Sequence, residues 1–386
     1  MNAGKKIRVG VVFGGQSGEH EISLLSARSI MHALDKDKYE IVPLGITRDG
    51  RWITRGNPLK ELVQASNLWQ KEQLLANGSI SEVTANGDAA GRELVPADPA
   101  RAEMIAMGSP LGGLDVIFPV LHGPHGEDGT VQGLLELAGV PYVGAGVAGS
   151  ALGMDKALFK QVMVANGLPV PQWRLVLRSR WGRERAAVVA ELEEALPYPM
   201  FVKPANLGSS VGISKAHDRS ELIAGLDDAA RYDRRLLVEQ GIHAREIEVS
   251  VLGNDDPIAS VPGEIIPGRE FYDYAAKYID DTSELLIPAP IPPETARRAQ
   301  ELAVAAFRAA DIAGMARVDF LLDRDSGMLY LNELNTIPGF TAISMYPKLW
   351  AASGISYPEL LDRLIALALE RDADKRQMST SYEPTL

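Results

Sequence analysis

The sequence predicts an α/β protein whose amino-terminal domain contains a parallel sheet, followed by two smaller domains of strands and helices. In its amino-terminal part, apolar runs that end in glycine loops alternate with helical segments, which is typical of a parallel sheet. At 386 residues and 41.7 kDa, the chain exceeds what one hydrophobic core usually supports. Its composition, 46% hydrophobic and 23% charged, is that of a globular protein and excludes wholesale disorder.

The amino-terminal domain is predicted from three apolar runs, each followed by glycine. These runs predict strands at residues 7–13, 116–121 and 141–143. Helical spacing of apolar residues follows the first two runs, at residues 23–34 and 131–137. Because ligands of parallel sheets bind beyond the carboxyl ends of the strands, we expect the glycine loops there, including residues 122–129, to line a site.

Two further domains are predicted from changes in this pattern. The second has predicted helices at residues 157–166 and 220–230 and predicted strands at residues 200–203 and 236–239. The third begins with alternating apolar and polar residues at 246–251, which predicts a strand with one face in water. We therefore divide the chain into residues 1–149, 150–241 and 242–370, followed by a polar, flexible tail at residues 371–386.

Charge and cysteine content exclude several classes of function. The chain has 39 Lys and Arg against 51 Asp and Glu, and the resulting net charge of -12 opposes binding to nucleic-acid phosphates. It contains no cysteine, which excludes disulfides, thiolate metal sites and a cysteine nucleophile. No spanning apolar run and no export signal are visible, so we expect a cytoplasmic protein without membrane contact.

Residues 317–335 are predicted to form a β-hairpin around a turn at residues 323–327. If Leu322 pairs with residue 328 or 329, Asp319 faces residue 331 or 332 and lies close to Glu333. Glu333 and Asn335 share one strand face, because side chains alternate along a strand. Three oxygen donors therefore converge at one end of the hairpin.

Asp319, Glu333 and Asn335 are candidate ligands of a divalent cation. Carboxylate and amide oxygens without His or Cys suit a hard ion, and two carboxylates leave coordination positions open for water and phosphate. This donor set favours Mg²⁺ held together with a nucleotide. The alternative is a solvated hairpin end whose acceptors face water.

Residues 203–212 are a candidate phosphate-binding loop. Lys203 follows a predicted strand, and small residues after it, among them Gly208, Ser209 and Ser210, let backbone N–H groups approach an anion. An ordinary flexible loop is the alternative. Because the sequence contains no Gly-Lys-Ser/Thr, a Walker A site is excluded and a nucleotide must be held differently.

Residues 144–149 match the GxGxxG fingerprint of dinucleotide-binding sites and follow an apolar strand. The fingerprint expects an acidic residue about 20 positions later. Residues 169–172 read Pro-Val-Pro-Gln instead. We therefore interpret this segment as a domain junction rather than a nicotinamide site.

Several polar loop residues have both a binding and a structural interpretation. Glu19 could bind a substrate ammonium, or it could be an acid favoured at a helix amino terminus. His122 and His125 are spaced as a ligand pair, but without a third imidazole nearby we expect local hydrogen bonding rather than zinc. The tyrosine-rich residues 268–278 could close over a ligand or pack against the protein.

In their order and spacing, six segments resemble the D-alanine:D-alanine ligase family of ATP-grasp ligases. They are residues 14–19, 122–129, 154–156, 203–212, 272–278, and 317–319 together with 332–339. The resemblance extends from the first strand to about residue 369. It implies an α/β and α+β protein in which the two α+β domains of an ATP-grasp fold grip ATP, while the amino-terminal α/β domain supplies part of the amino-acid site.

The resemblance also implies a nucleotide and metal site. The implied nucleotide contacts are Lys156, Lys203, Gly208, Ser210, Glu239, Gln240, Ile242, Glu246 and Lys277. Among them, Glu246 would contact the ribose and Lys277 the γ-phosphate. Asp319, Glu333 and Asn335 would hold two ions of Mg²⁺ or Mn²⁺. The hinge departs from some members of the family, which carry Lys and an aromatic residue where this chain has Gln240 and Gly241.

The reaction implied by the resemblance joins two D-alanines. The carboxylate of the first attacks the γ-phosphorus of ATP to give an acyl phosphate, and the amine of the second then displaces phosphate. The implied catalytic residues are Glu19, Ser209, Tyr278, Arg317, Gly339 and Ser344. The first three would orient the first D-alanine, and Ser344 would bind the second. Arg317 and the Gly339 N–H would stabilise the negative charge that develops.

Three alternatives stay open on the sequence. Another ATP-grasp ligase could use D-lactate or D-serine as its second substrate, although by the same resemblance Tyr278 favours the amine of D-alanine. An NAD-dependent oxidoreductase would use residues 144–149, and a nucleotide-binding regulator would keep the loops without turnover. The resemblance also suggests a homodimer, with D-alanine and ATP as small-molecule partners.

Overall fold

A computed structural model describes residues 5–66, 113–208, 211–266, 284–341 and 343–379, and every structural statement below concerns these residues. They form three sheets, each with its own helices. The first sheet is mainly parallel and the other two are antiparallel. The predicted α/β and α+β architecture is therefore confirmed. No helix in this part of the chain is long and apolar enough to cross a membrane.

The amino-terminal sheet has the strand order β3-β2-β1-β4. Its elements are β1 (Ile7–Gly14), α1 (His20–Ala33), β2 (Tyr39–Ile46), β3 (Trp52–Ile53), α2 (Pro58–Ala65), β4 (Val116–Val120), α3 (Thr130–Ala138) and α4 (Val147–Met154). Strand β1 pairs in parallel with β2 and β4, so the loops after β1 and β4 leave the same edge of the sheet. The third predicted strand is reduced to one bridge, between Tyr142 and Ile117.

The second sheet has the order β5-β8-β6-β7 and is antiparallel throughout. Its elements are α5 (Lys156–Ala165), β5 (Trp173–Leu177), α6 (Arg178–Trp181), α7 (Arg185–Ala195), β6 (Met200–Pro204), β7 (Ser214–Ala216), α8 (Arg219–Ala229) and β8 (Arg235–Gln240). Helix α5 begins at an Asp155 cap, whose side chain accepts hydrogen bonds from the N–H groups of residues 157 and 158. This cap fixes the start of the helix that carries Lys156 and Lys160.

The third sheet has the order β12-β11-β9-β13-β14, with β10 paired to β9. Its elements are β9 (Ala244–Gly253), β10 (Ile258–Ala259), β11 (Gly263–Ile266), β12 (Glu284–Leu286), α9 (Pro293–Ala309), β13 (Gly314–Asp323), β14 (Leu329–Asn335), α10 (Met345–Ala352) and α11 (Tyr357–Lys375). Helix α9 packs its apolar side on this sheet through Leu302, Ala303, Ala306 and Phe307. The opposite face of the sheet is left for the polar site.

The prediction that β9 has one face in water is wrong. Glu248 and Ser250, on the polar side of the alternation, are both buried. Glu248 is neutralised there by Arg317, and the backbone N–H of Ser250 donates to Ser260 Oγ. The period of two was read correctly, but the polar face is turned toward other charged groups rather than toward solvent.

The predicted register of the β13–β14 hairpin is correct near the turn and wrong at its open end. Leu322 pairs with Leu329 as predicted, but a β-bulge between Asp319 and Phe320 shifts the pairing. Asn332 is the extra residue, so Asp319 lies directly opposite Glu333 instead of residue 331 or 332. The bulge therefore places Asp319 and Glu333 directly opposite each other, whereas a regular hairpin would offset them by one residue.

The last helix of the described residues packs against the amino-terminal sheet. Helix α11 places Leu361, Leu364 and Ile365 in the same core as Val11 and Phe13 of β1. It continues to Lys375, so the first five residues of the predicted tail at 371–386 are helical. The sequence does not predict this last turn as helix, because its residues are polar and make polar rather than apolar contacts. The division into domains at residues 149 and 241 stays a prediction.

Arg371 provides such a polar contact and allows a test of how α11 is attached. Its guanidinium donates to the carbonyls of Tyr142, at 2.9 Å, and Gly144, and it stacks on the Tyr142 ring at 4.5 Å. Arg371→Ala would leave two buried carbonyls without this donor, and we expect a loss of about 2 kcal/mol in stability. Urea unfolding followed by tryptophan fluorescence would measure this loss.

Arg376→Ala is the matched control, because exposed Arg376 pairs with Asp372 in its own helix, and its removal should cost less than about 0.5 kcal/mol. Equal losses in both variants would contradict the assignment.

Candidate active site

A row of carboxylates crosses three strands of the third sheet. Glu248 on β9 pairs with Asp319 on β13, which pairs with Glu333 on β14. Directly paired residues of an antiparallel sheet have their side chains on the same face, so the three acids lie side by side. In the next row, Arg317 lies opposite Asn335. The sheet therefore concentrates acidic oxygens beside one guanidinium.

Arg317 holds this row together. Its Nε and Nη2 donate to the two oxygens of Asp319 at 2.7 Å each, and Nε lies 3.1 Å from Glu248 Oε2. Burial alone would lower the pKa of Arg317, but the attraction of Asp319 and Glu248 raises it well above its usual range. Asn335 Nδ2 donates to Asp319 Oδ2 at 2.9 Å. Arg317 is therefore a permanently charged group next to the acids.

The proposed metal ligands have the donor chemistry of a hard divalent cation. Asp319 and Glu333 face each other across the bulge, and Asn335 offers an amide oxygen on the same strand as Glu333. Without a metal ion, Arg317 neutralises Asp319. Lys156 Nζ, which lies 3.7 Å from Glu333 Oε2, neutralises Glu333. Clusters of three or more His, Cys, Asp or Glu suited to a metal are absent from the described ranges, so an amide would have to complete the set. The residues fit Mg²⁺ or Mn²⁺ rather than zinc.

Two predicted nucleotide contacts, Lys203 and Glu239, belong to a buried cluster of charges. Glu239 lies on β8 with Lys203 Nζ 2.7 Å from one oxygen and Lys160 Nζ 3.0 Å from the other. Burial would raise the pKa of Glu239, but the attraction of Lys160 and Lys203 lowers it to about 2. The Glu239 side chain is thus committed to two lysines, which leaves its backbone for contacts with a ligand.

Lys156 and Gly208 connect this cluster to the loop after β6. Lys156 Nζ donates to the carbonyl of Leu207 at 2.8 Å, and its backbone N–H donates to Ala205 at 2.8 Å. A Cβ placed on Gly208 would lie 3.3 Å from Glu19 Oε2. The loop after β6 therefore reaches the amino-terminal domain, as a shared site requires.

Glu19 lies where three loops meet. It is only 8% exposed, so the interpretation of a solvated helix terminus is wrong. Its Oε2 is so close to Gly123 that a Cβ there would lie 2.7 Å away. Gly123 also has φ of +76°, a conformation that favours glycine. The position after β4 therefore admits only glycine while Glu19 points at it.

Glu127 is a further acid at this meeting point, half-buried in the loop after β4. Its two oxygens accept hydrogen bonds from the backbone N–H groups of Gly123, at 2.7 Å, and Ile337, at 3.2 Å. Burial and the neighbouring Glu19 raise the pKa of Glu127 to about 8, against the effect of these N–H groups and of Arg317. Glu127 therefore joins the loop after β4 to the segment after β14 and favours a protonated form at neutral pH.

Gly339 and Ser344 adjoin each other in that segment after β14. A Cβ on Gly339 would lie 2.9 Å from Ser344 Oγ, and the Thr341 N–H donates to the same oxygen at 3.0 Å. His122 binds the segment from the other side, because its Nδ1 lies 3.0 Å from the Ile337 carbonyl. Its Nε2 lies 3.2 Å from Ser26 Oγ. Both ring nitrogens of His122 thus have hydrogen-bond partners, although these lie in distant segments of the chain rather than in its own loop as predicted.

The remaining predicted residues lie at the hinge or outside the described residues. Gln240, the last residue of β8, and Ile242, in the link from β8 to β9, are both half-buried where the second sheet leads into the third. Burial would lower the pKa of Lys203, but the attraction of Glu239, then of Glu333 and then of Glu246 on β9, raises it above its usual range. The predictions for Ser209, Ser210, Lys277 and Tyr278 fall outside the described residues.

The sequence interpretation missed the roles of Lys160, Glu127 and Glu248. Lys160 follows Lys156 by four residues, so both face the same side of α5, and this spacing was an available signal. Glu248 lies two residues after Glu246, so both share one strand face, and this spacing was a second signal. The contact of Glu127 with the segment after β14 had no local signal, because Ile337 lies 210 positions away.

Residues 144–149 contact two other segments of the chain, and their interpretation as a domain junction stays a prediction. Arg371 donates to the carbonyl of Gly144. A Cβ on Gly149 would lie 2.5 Å from the carbonyl oxygen of Asp311. Gly149 therefore allows close packing between backbone segments, which accounts for this glycine of the fingerprint without a dinucleotide.

Comparisons with known proteins agree with this geometry. Two family models match the chain, the D-ala D-ala ligase N-terminus over residues 8–145 and the D-ala D-ala ligase C-terminus over residues 162–366. A D-alanine–D-alanine ligase of Heliobacterium modesticaldum is 51% identical over 99% of this chain and 100% of its own length. One of Natranaerobius thermophilus is 49% identical over 98% of this chain and 99% of its own length.

Two solved structures are also similar. The D-alanine-D-alanine ligase of Coxiella burnetii aligns with a TM-score of 0.76 and 38% identity, covering 97% of both chains. The VanG D-Ala:D-Ser ligase of Enterococcus faecalis aligns with a TM-score of 0.75 and 35% identity, covering 94% of this chain and 100% of that one. Both alignments extend over all three sheets.

The raised pKa of Glu127 predicts a pH-dependent stability. The folded protein keeps a proton on Glu127 that the unfolded chain releases above about pH 4.5, so stability is lost as the pH rises toward about 8. Glu127→Gln stays neutral and removes this loss. We expect the fall in melting temperature between pH 6 and pH 9 to be smaller in the variant by about 3 °C. Glu301→Gln, a change at an exposed pair on α9, is the control. The assignment fails if Glu127→Gln keeps the full pH dependence of the unaltered protein.

Proposed function

Because this chain belongs to the D-alanine–D-alanine ligase family, it is an ATP-dependent ligase, and we propose that the site described above joins two D-alanines for peptidoglycan synthesis. The observation that carries the proposal is the meeting of three parts. The acidic row with Arg317, the lysine cluster around Glu239 and the buried Glu19 all face loops that contact one another. Such a site can hold a triphosphate, a cation and an ammonium at once.

The lysine cluster and the hinge suit the nucleotide. Lys156 and Lys203 would neutralise phosphate oxygens, with the backbone at Gly208 and Ser210 approaching the same anion. The hinge at residues 239–242 would contact adenine mainly through its backbone, because the Glu239 side chain is bound to lysines. By family resemblance, Glu246 would bind the ribose and Lys277 the γ-phosphate.

The acidic row suits the divalent cation on which this family depends. We propose two ions of Mg²⁺ or Mn²⁺ held by Asp319, Glu333 and Asn335. When bound, the cation would neutralise phosphate oxygens and polarise the γ-phosphoryl group. Asp319 would exchange its hydrogen bonds to Arg317 for the cation. Glu248 would keep the guanidinium in place, because its Oε2 also lies 3.1 Å from Arg317 Nε.

The amino-acid subsites lie between the amino-terminal loops and the segment after β14. Glu19 would accept the ammonium of the first D-alanine, which suits a carboxylate buried beside Gly123. Ser209 and Tyr278 would orient Glu19 by family resemblance. Ser344, at the amino terminus of α10, would bind the carboxylate of the second D-alanine.

Catalysis would consist of positioning and charge neutralisation. The first carboxylate attacks the γ-phosphorus and ADP leaves, and the second amine then attacks the acyl carbon while phosphate leaves. The tetrahedral oxyanion of the second step would receive hydrogen bonds from Arg317 and the Gly339 N–H. Removal of water from the closed site would prevent hydrolysis of the acyl phosphate.

The partners we propose are D-alanine, ATP and a second copy of the chain. The use of ATP supports a cytoplasmic location, and the family resemblance supports a homodimer. D-serine is the second candidate nucleophile, because one similar structure is that of a D-Ala:D-Ser ligase. The relatives near 50% identity favour D-alanine.

The reaction can be tested directly. With ATP, Mg²⁺ and D-alanine, the protein should release ADP and form a product with the mass of D-alanyl-D-alanine, whereas L-alanine should give neither. D-serine and D-lactate, each offered with D-alanine, would report the second-substrate preference by mass spectrometry. Absence of D-alanine-dependent ADP release would overturn the proposal. If a mixed product forms in preference to D-alanyl-D-alanine, the second substrate is D-serine or D-lactate rather than D-alanine.

The metal ligands can be tested on one hairpin. Glu333→Gln keeps the shape but loses the charge, and we expect the Mg²⁺ concentration for half-maximal activity to rise at least about tenfold. Tryptophan fluorescence during Mg²⁺ titration of the ADP complex would give a second readout. Asp325→Asn, in the exposed turn of the same hairpin, is the control and should leave the titration unchanged. Unaltered Mg²⁺ dependence in Glu333→Gln would remove Glu333 from the ligand set.

A further inference from the structure

Lys160 is a buried cation that the proposed mechanism does not use. Its side chain is completely inaccessible to solvent, in the middle of α5. Burial of an ammonium costs several kcal/mol unless it is compensated. Lys160 Nζ lies 3.0 Å from Glu239 Oε1 and 3.5 Å from the carbonyl of Asn332. A leucine or methionine would fill this position without that cost, so the charge requires an explanation.

The arrangement around Glu239 supplies one. The carboxylate has two oxygens, and each faces a different lysine, Lys160 on one side and Lys203 on the other. Lys203 also lies 3.5 Å from the Asn332 side chain, at the bulge next to Glu333. Lys160 is completely enclosed, whereas Lys203 is the lysine placed at the phosphate loop. The two lysines therefore share one anion but have different access to a ligand.

We propose that Lys160 is a positioning residue that neutralises Glu239 and thereby leaves the charge of Lys203 available to the nucleotide phosphates. This inference rests on the proposed function, because it assigns Lys203 to phosphate. Without Lys160, the neutralisation of Glu239 would fall to Lys203, whose Nζ lies 2.7 Å from Glu239 Oε2. An ammonium that alone neutralises a buried carboxylate is less able to neutralise a phosphate as well. Lys160 thus acts on the phosphates through Glu239 and Lys203 without contacting them.

This role predicts an effect on phosphate binding rather than on adenosine binding. In Lys160→Met, the dissociation constant of ADP should rise about tenfold, while that of adenosine should change less than about twofold. Isothermal titration calorimetry on the full chain, at fixed Mg²⁺, would measure both. Met163→Leu is the matched control, a volume-conserving change at a buried position on the same helix, and should leave both constants within about twofold.

A double variant separates charge balance from packing. In Lys160→Met with Glu239→Gln, neither partner carries charge, Lys203 is released, and ADP binding should recover at least about threefold relative to Lys160→Met alone. A purely structural role predicts the reverse, because the second substitution would add to the damage. Lys160→Gln offers the same comparison if the Met variant does not fold.

The outcomes distinguish this inference from the proposed function. If the unaltered protein binds ADP no better than adenosine, the assignment of Lys203 to phosphate is wrong and the inference falls with it. If the unaltered protein prefers ADP but Lys160→Met keeps the same preference, the inference alone is overturned. The inference is also overturned if both ligands weaken equally or if the double variant binds ADP more weakly than the single one.

Discussion

The site depends on one constraint, that each carboxylate removed from water has to be neutralised by a cation or by a proton. An uncompensated buried charge costs several kcal/mol, a large share of the stability of a protein. Glu239 is bound by two ammonium groups, and its pKa is lowered to about 2. Glu127 accepts backbone N–H groups instead, and burial beside Glu19 raises its pKa to about 8. Two glutamates of the site thus favour opposite charge states because their neighbours differ.

The same constraint joins separate parts of the chain. Lys160 comes from α5, Glu239 from β8, and the bulge residue Asn332 from β14, so the second and third sheets meet through these charges. Glu127 and His122 bind the segment after β14 from the amino-terminal domain. Helix α11 then covers the amino-terminal sheet with apolar residues. Misplacement of any sheet would therefore leave a charged group unpaired, which makes the polar site specific for one arrangement.

The sequence could predict features whose causes are local. Glycines after β1 and β4, the alternation in β9 and the hairpin turn at residues 323–327 are all encoded within a few residues, and the structure contains them. The sequence could not predict the bulge at Asn332, because no nearby residue pattern indicates it. The contacts of Asn332 are with Lys160 and Lys203, which are distant in the chain. For the same reason the polar side of β9 was predicted to face water. The family resemblance supplied the residue roles that no local pattern could indicate.

Arg317 shows how a site can be rigid before the ligand arrives and still be able to respond. A guanidinium has five N–H donors in a fixed plane; Asp319 accepts from Nε and Nη2, and Glu248 lies 3.1 Å from the same Nε. If a divalent cation takes the Asp319 oxygens, Glu248 still holds the guanidinium, and donors become available for an oxyanion. A lysine would lose its orientation in the same exchange, because an ammonium on a flexible chain is held only by its contacts. The buried Glu248, which contacts no proposed substrate, therefore determines whether Arg317 remains in position when its other partner changes.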